Sequence, residues 1–245
     1  MLPARIAYGD LPPAPAGVLK LGIGENEMST VGVDLDRAPH FYAVGSSRSG
    51  RTTVLRTLLR SIRETYSPEQ AQVILFEPTN YELAEAIGPD YRKVYANSTD
   101  EIEKLSAMIA EKLTTRQPPR GMAPEELARW RPSGPKLFIV VDDLNLLSPH
   151  GGSSSALMPL VESISKGRHL GLHVLAATSV ERWHGGGGMS RVVAAMTTAG
   201  AGVLVMDGPR AEVIVDAVRP AVRGPGRGEL YYRKLGGQLV QVATP

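Results

Sequence analysis

The run Gly45-Ser46-Ser47-Arg48-Ser49-Gly50-Arg51-Thr52-Thr53 constrains this chain more than any other stretch. It has the spacing of a phosphate-binding loop, G-x-x-x-x-G-K-[ST], with arginine where lysine is usual. Such a loop works only between a strand and a helix, so that loop N–H groups and the helix N-terminus face the phosphates together. The flanks agree. Phe41 to Gly45 reads as a short apolar strand, and Thr52 to Tyr66 as a helix with Val54, Leu55, Leu58, Leu59 and Ile62 on one stripe. An ordinary strand-to-helix connection is the simpler alternative for these residues taken alone.

A second pattern supports the phosphate reading. Lys136 to Val141 is an apolar run that ends in Asp142 and Asp143. A continuous apolar run suits a central parallel strand, buried on both faces. Functional groups of such sheets lie at the carboxyl ends of the strands. Asp142 is therefore a candidate Mg²⁺ ligand beside the hydroxyl of Thr52. Asp143 is a candidate to orient an attacking water, or else a helix cap.

The rest of the chain reads as alternating strands and helices. Strands are expected at Gln72–Phe76, Leu172–Thr178 and Ala201–Met206. Helices are expected from Ser98 onward behind a capping box, over Pro124–Trp130, over Ser155–Lys166, over Ser190–Thr197 and briefly after Asp207-Gly208-Pro209. Antiparallel strands are expected around Glu25-Asn26-Glu27 and across Leu235-Gly236-Gly237. His184 to Gly188 is expected to be a flexible loop. The fold class is α/β, a mostly parallel sheet covered by helices on both faces, with short antiparallel strands at the termini. Residues 1–17, with Pro12, Pro13 and Pro15, read as a linker or N-terminal extension, and 18–245 as one domain. Such an opening fits a piece of a longer protein.

Composition narrows the chemistry. With no cysteine, disulfides and thiolate metal sites are excluded. The five histidines are scattered and form no ligand cluster. A net charge of +2 without a long basic block gives little support for nucleic acid as a partner. No apolar run has the length of a membrane span, and the N-terminus is not a signal peptide.

With these residues placed, the chain resembles the FtsK/SpoIIIE class of P-loop motor domains. Pro39 to Gly45 resembles the lead into that family's loop. Lys166-Gly167-Arg168-His169-Leu170-Gly171-Leu172-His173, running on to Ala177-Thr178, resembles its signature strand. Pro225 to Tyr231, together with Gln241-Val242-Ala243, resembles the branch that serves mycobacterial type VII (ESX) secretion, in particular the last motor domain of the EccC ATPases. The resemblance implies a RecA-like P-loop NTPase core that binds ATP or ADP with Mg²⁺. It implies neighbouring ATPase domains in the same protein and a cytoplasmic position. It also implies attachment to the inner membrane secretion complex through upstream segments, and small helical secreted proteins recognised through a C-terminal signal. It further implies roles for single residues. Thr178 would be a sensor of the terminal phosphate or the attacking water. Arg168 would reach into a neighbouring motor's site. Asp143 would stand where an active member has glutamate.

Arg51 and Asp143 both depart from what fast phosphoryl transfer uses. Arginine keeps the charge but presents a bulkier, planar fork. Aspartate is one methylene shorter than glutamate, and a general base must reach its proton within about 3 Å or through one water. Retained binding with weak hydrolysis is the expectation. A double-stranded DNA translocase module is the alternative. It is disfavoured by the charge and by Ser179-Val180-Glu181-Arg182, which replaces the run found in DNA-pumping members. Trp130 and Trp183 read as partner anchors or as pins for their own loops. Met189, Val192, Val193, Met196, Val213, Ile214 and Val218 could line a docking groove or form plain core.

Overall fold

A computed structural model describes residues 1–79, 81–147, 155–183, 190–210 and 213–245 (for Arg182, the backbone alone). Its ten strands form one sheet. They are β1 (Val18–Gly24), β2 (Thr30–Asp34), β3 (Phe41–Gly45), β4 (Ala71–Phe76), β5 (Arg92–Ala96), β6 (Lys136–Val141), β7 (Leu172–Ser179), β8 (Gly202–Val205), β9 (Arg227–Tyr232) and β10 (Gly236–Val242). The order is β2-β1-β10-β9-β8-β3-β7-β6-β4-β5. From β8 to β5 every pairing is parallel, and from β8 to β2 every pairing is antiparallel. The expected terminal strands are thus present, but they extend the main sheet.

The parallel half is buried on both faces, which is why its strands read as unbroken apolar runs. Alternate residues serve two cores. Tyr42, Val44, Ile74, Phe76, Ile139, Val141, Val174 and Ala176 face one side, packed with α3 (Thr99–Thr114) and α7 (Arg191–Thr198). Phe41, Ala43, Val73, Leu75, Phe138, Val140, Leu175 and Ala177 face the other, against α1 (Arg51–Thr65). The stripe Val54, Leu55, Leu58, Leu59 and Ile62 is fully buried there. Ser98 caps α3 as expected, its hydroxyl accepting the Glu101 N–H. The short helix α2 (Leu83–Ile87) follows β4, and α4 (Pro124–Arg129) lies on the surface with no buried residue.

Three features differ from the sequence reading. Strand β5 has an intermediate burial pattern at the sheet edge and so lacks the apolar signature of its neighbours. The helix expected over 155–166 is reduced to a 3-10 turn (Met158–Leu160) followed by α5 (Val161–Ser165), and a second break separates α5 from α6 (Gly167–Leu170), beyond the expected end. The buried His40 explains the second break. Its Nε2–H donates to the Ile164 carbonyl at 2.7 Å, taking the acceptor that a continuing helix would use. The ring also leaves room only for glycine at 167, where a Cβ would lie 2.5 Å from it. Last, residues after Pro209 form no helix among those described; Val215 and Val218 make an antiparallel bridge instead.

Residues 2–11 lie against the domain. Leu2, Tyr8 and Leu11 form a small core with Ile23 and Ala243. Arg227 donates to the carbonyls of Leu2 and Pro3, and Tyr8 N–H to that of Thr244. The expected flexible loop at 184–188 and Met189 fall outside the described residues.

Candidate nucleotide-binding site

Strand β3 lies between β7 and β8 in the parallel half, and its carboxyl end delivers the phosphate loop to the edge where β6 and β7 also end. Gly45 is level with Ser179. The loop then turns tightly, with Arg48 at φ 64° and Gly50 at φ 102°, both left-handed. Two glycines are required by geometry. A Cβ on Gly45 would meet Ser49 Oγ at 2.5 Å. One on Gly50 would add left-handed strain and approach the Gly226 nitrogen at 3.2 Å. Gly50 caps α1 without a side chain, so the first turn of that 15-residue helix has no side-chain cap over its N–H groups.

The back of the loop is held by residues far away in sequence. Gly226 N–H donates to the Ser49 carbonyl at 2.8 Å, and Gly226 carbonyl accepts from Val242 N–H. Ser46 donates its hydroxyl to Asp207 Oδ2 at 2.8 Å and its N–H to the Asp207 carbonyl. Ser49 N–H turns inward to the Ser46 carbonyl. This corrects one expectation. Ser46 and Ser49 spend their backbone donors on shaping the loop, which leaves Arg48, Gly50, Arg51, Thr52 and Thr53 as the candidates to meet phosphate, with Ser47 joining them only when its N–H leaves Glu181. Asp207 and Gly226 were not singled out from the sequence. The position of Asp207 at the end of the strand next to β3 is the signal that could have found it.

Thr52 and Asp142 come together as the spacing suggests. The Thr52 hydroxyl donates to Asp142 Oδ1 at 3.2 Å, and Asp142 is buried. The pair offers hard oxygens of the kind Mg²⁺ takes. Asp143 serves two groups at once. One oxygen accepts the Asn145 N–H at 3.0 Å, capping the 3-10 turn Leu144–Leu147. The other lies 3.8 Å from Arg51 Nη1. That separation is an ion pair but too long for a hydrogen bond, and Nη1 is buried without an acceptor among the described residues. A buried guanidinium donor lacking an acceptor, set beside a loop that excludes side chains, fits a phosphate group. When bound, a nucleotide would be held by Arg51 and the α1 N-terminus, and its Mg²⁺ by Thr52 and Asp142.

Thr178 is buried at the end of β7, level with Val44 and one residue short of Gly45. Two carboxylates not anticipated from the sequence complete the neighbourhood. Glu77, directly after β4, is fully buried. One oxygen accepts the Leu83 N–H at 2.8 Å and the other has no hydrogen-bond partner among the described residues. Burial, then the charge of Asp142, raises its pKa. Glu181 lies on the other side of the loop, its Oε1 accepting the Ser47 N–H at 3.3 Å.

Arg168 is elsewhere. It sits on α6 before the start of β7, and eight strand residues at about 3.3 Å each put it roughly 25 Å from the loop edge. Its guanidinium donates to the Arg37 carbonyl at 3.0 Å. It does not reach this chain's own phosphate loop. Trp130 pins its own segment through a hydrogen bond from Nε1 to the His169 carbonyl, and Trp183 stacks on Tyr42 with centroids 6.2 Å apart. Val192, Val193, Met196, Ile214 and Val218 are buried core, while Val213 is exposed. The five buried residues form core here and do not line an open groove.

Fold and loop together define a P-loop domain, and within it residues 15–118 match the FtsK/SpoIIIE family. The chain is similar to the EccC ATPases of type VII secretion. It is 32% identical over 255 residues to the ESX-4 secretion system protein EccC4 of Mycobacterium tuberculosis, covering 99% of this chain and 20% of that protein. It is 30% identical over 250 residues to the ESX secretion system protein EccC of Thermomonospora curvata, covering 99% and 18%. The chain therefore spans about a fifth of the length of these relatives. Among solved structures, ATPases 2 and 3 of Thermomonospora curvata EccC in complex with a signal sequence peptide match with a TM-score of 0.89. That match has 28% identity and covers all of this chain and 44% of that one.

Proposed function

We propose that this chain is a nucleotide-binding motor domain of a type VII protein-secretion ATPase, weakly hydrolytic on its own. In this reading ATP or ADP binds at Gly45–Thr53, with Mg²⁺ on Thr52 and Asp142. The observation that carries it is the Thr52–Asp142 contact at the carboxyl edge, next to a buried Arg51 donor without an acceptor among the described residues. Weak hydrolysis follows from Arg51 and Asp143. The guanidinium is already engaged by the Asp143 carboxylate, and that carboxylate is engaged in turn by its own helix cap. Neither is free to follow a phosphoryl group in flight, where misplacement by about 1 Å can cost about a hundredfold.

The same reading places the chain beside other ATPase domains of a longer, membrane-attached secretion protein. It also assigns the chain a surface for the C-terminal signal of a secreted protein. The support is the similarity to an EccC whose second and third ATPases were solved with a signal sequence peptide. Among the described residues no helix is long and apolar enough to cross a membrane, so attachment would come through other segments.

Calorimetry and turnover on one preparation, with Mg²⁺, test the proposal. Micromolar or tighter binding of ATP or ADP is expected, with turnover well below about 1 s⁻¹. Robust turnover by the isolated chain would overturn the weak-motor reading. Tight duplex binding at about 0.15 M salt that stimulates turnover would favour a DNA translocase instead.

A further inference from the structure

Beyond β7 the chain makes a 3-10 turn, Val180–Arg182, that returns it over the phosphate loop. The turn is built around Glu181. The Ser179 hydroxyl accepts the Glu181 N–H at 3.2 Å and donates to Glu181 Oε2. The other carboxylate oxygen, Oε1, accepts the N–H of Ser47, a residue 134 positions earlier. Burial alone would raise the pKa of this carboxyl, but the Ser179 hydroxyl, the backbone N–H groups of Glu181 and Ser47, and the charge of Arg51 together hold it below the usual range. A fixed negative charge thus rests on one of the loop's own donors and within electrostatic reach of Arg51.

Arg51 occupies the position whose side chain reaches the β- and γ-phosphates in the loop pattern. Its guanidinium already has Asp143 at 3.8 Å. Two carboxylates therefore attend the guanidinium that a terminal phosphate would meet. A diphosphate would meet Arg51 and the α1 N-terminus through its β-phosphate, with Glu181 still on the Ser47 N–H. A third phosphate must share Arg51 with both carboxylates and displace Glu181 from the Ser47 N–H.

We propose that Glu181 is a specificity-determining residue of this site, biasing it toward nucleoside diphosphates over triphosphates through its carboxylate on the Ser47 N–H beside Arg51. The inference rests on the nucleotide-binding reading and deepens it. It gives the weak motor a second cause, since a site that favours the diphosphate also retains product.

The test is affinity, not turnover. Dissociation constants are measured by calorimetry for MgADP and for a non-hydrolysable MgATP analogue, on the whole chain and on Glu181→Gln. Glutamine keeps an acceptor for the Ser47 N–H and removes the charge. The unaltered chain should bind the diphosphate more tightly. The substitution should tighten triphosphate binding about tenfold and change diphosphate binding less than about twofold, the scale of one charge at close range near a protein surface. Raising salt should narrow the discrimination of the unaltered chain. An equal change for both nucleotides, or weaker triphosphate binding in the variant, would overturn the inference while leaving the nucleotide site intact. Binding of neither nucleotide to the unaltered chain would overturn the site itself, and the inference with it.

Discussion

Arg51 is the residue on which the site turns. It is half of an ion pair with Asp143, and one of its donors is buried with no acceptor among the described residues. A ligand that binds only the folded state stabilises it by RT ln(1 + [L]/Kd), about 2.7 kcal/mol at a hundredfold excess. Arg51→Ala should weaken nucleotide binding at least tenfold, cutting that gain to about 1.4 kcal/mol or less at the same concentration. Thermal unfolding with and without MgADP reads this directly; an unchanged gain would mean that Arg51 does not hold phosphate. The double change Arg51→Lys with Asp143→Glu asks a different question. It exchanges the planar fork for a compact charge and lengthens the carboxylate arm. Turnover should rise severalfold or more over the unaltered chain. No rise would place the block outside these two residues, with Glu181 the next to examine.

At the scale of elements, two buried histidines clamp the start of β7 to the segment before β3. His40 donates from Nε2 to the Ile164 carbonyl and accepts the Val174 N–H on Nδ1, tying α5 to the strand. His173 donates from Nδ1 to the Pro39 carbonyl at 2.9 Å. Burial pushes His40 down to about 4 and, helped by the nearby charges of Lys136 and Arg116, His173 down to about 3. Both folded values lie below the ordinary value near 6.5, so the unfolded chain takes up protons first. The resulting stability is full above about pH 6.5 and is lost as the pH falls toward the folded values. The loss is at most about 1.4 kcal/mol per pH unit for each histidine. Urea midpoints should therefore drop between about pH 7 and pH 5, a window above most carboxylate titrations. His173→Gln should make the drop shallower. A flat profile across that window would contradict the buried, neutral state of both rings.

At the scale of the whole molecule, strand direction separates the phosphate loop from Arg168. The phosphate loop lies at the carboxyl edge and Arg168 at the opposite one, exposed and bonded to the Arg37 carbonyl. An arginine so placed can act only on a neighbour, where a well-positioned one is worth about 10³ to 10⁵ in rate. Arg168→Ala should leave nucleotide affinity of the isolated chain unchanged within about twofold. In a protein that carries the adjoining ATPase domains, it should lower turnover by at least tenfold. Equal turnover in that assembly would make Arg168 an ordinary surface residue.

The sequence by itself determined the loop, the strand that carries it, the helix that follows and the carboxylate on β6. Each of these is a local pattern. Two glycines at fixed spacing, an apolar run, and a 3.6-residue stripe from Val54 to Ile62 are all written within a few turns of chain. The tertiary structure alone decided which groups meet that loop. Gly226 and Asp207 behind it, and Glu181 over it, lie more than a hundred residues away and arrive through the strand order, about which local periodicity carries no information. The same reason hid the edge strand β5 and the break before Gly167. An edge strand needs no continuous apolar face, and that helix ends because a histidine from another element takes its carbonyl. The apolar positions of α7 and of the segment around Ile214 read equally well as groove or core. Only the packing of a second layer onto the sheet made them core, because a hydrophobic pattern says which face is buried and not what covers it.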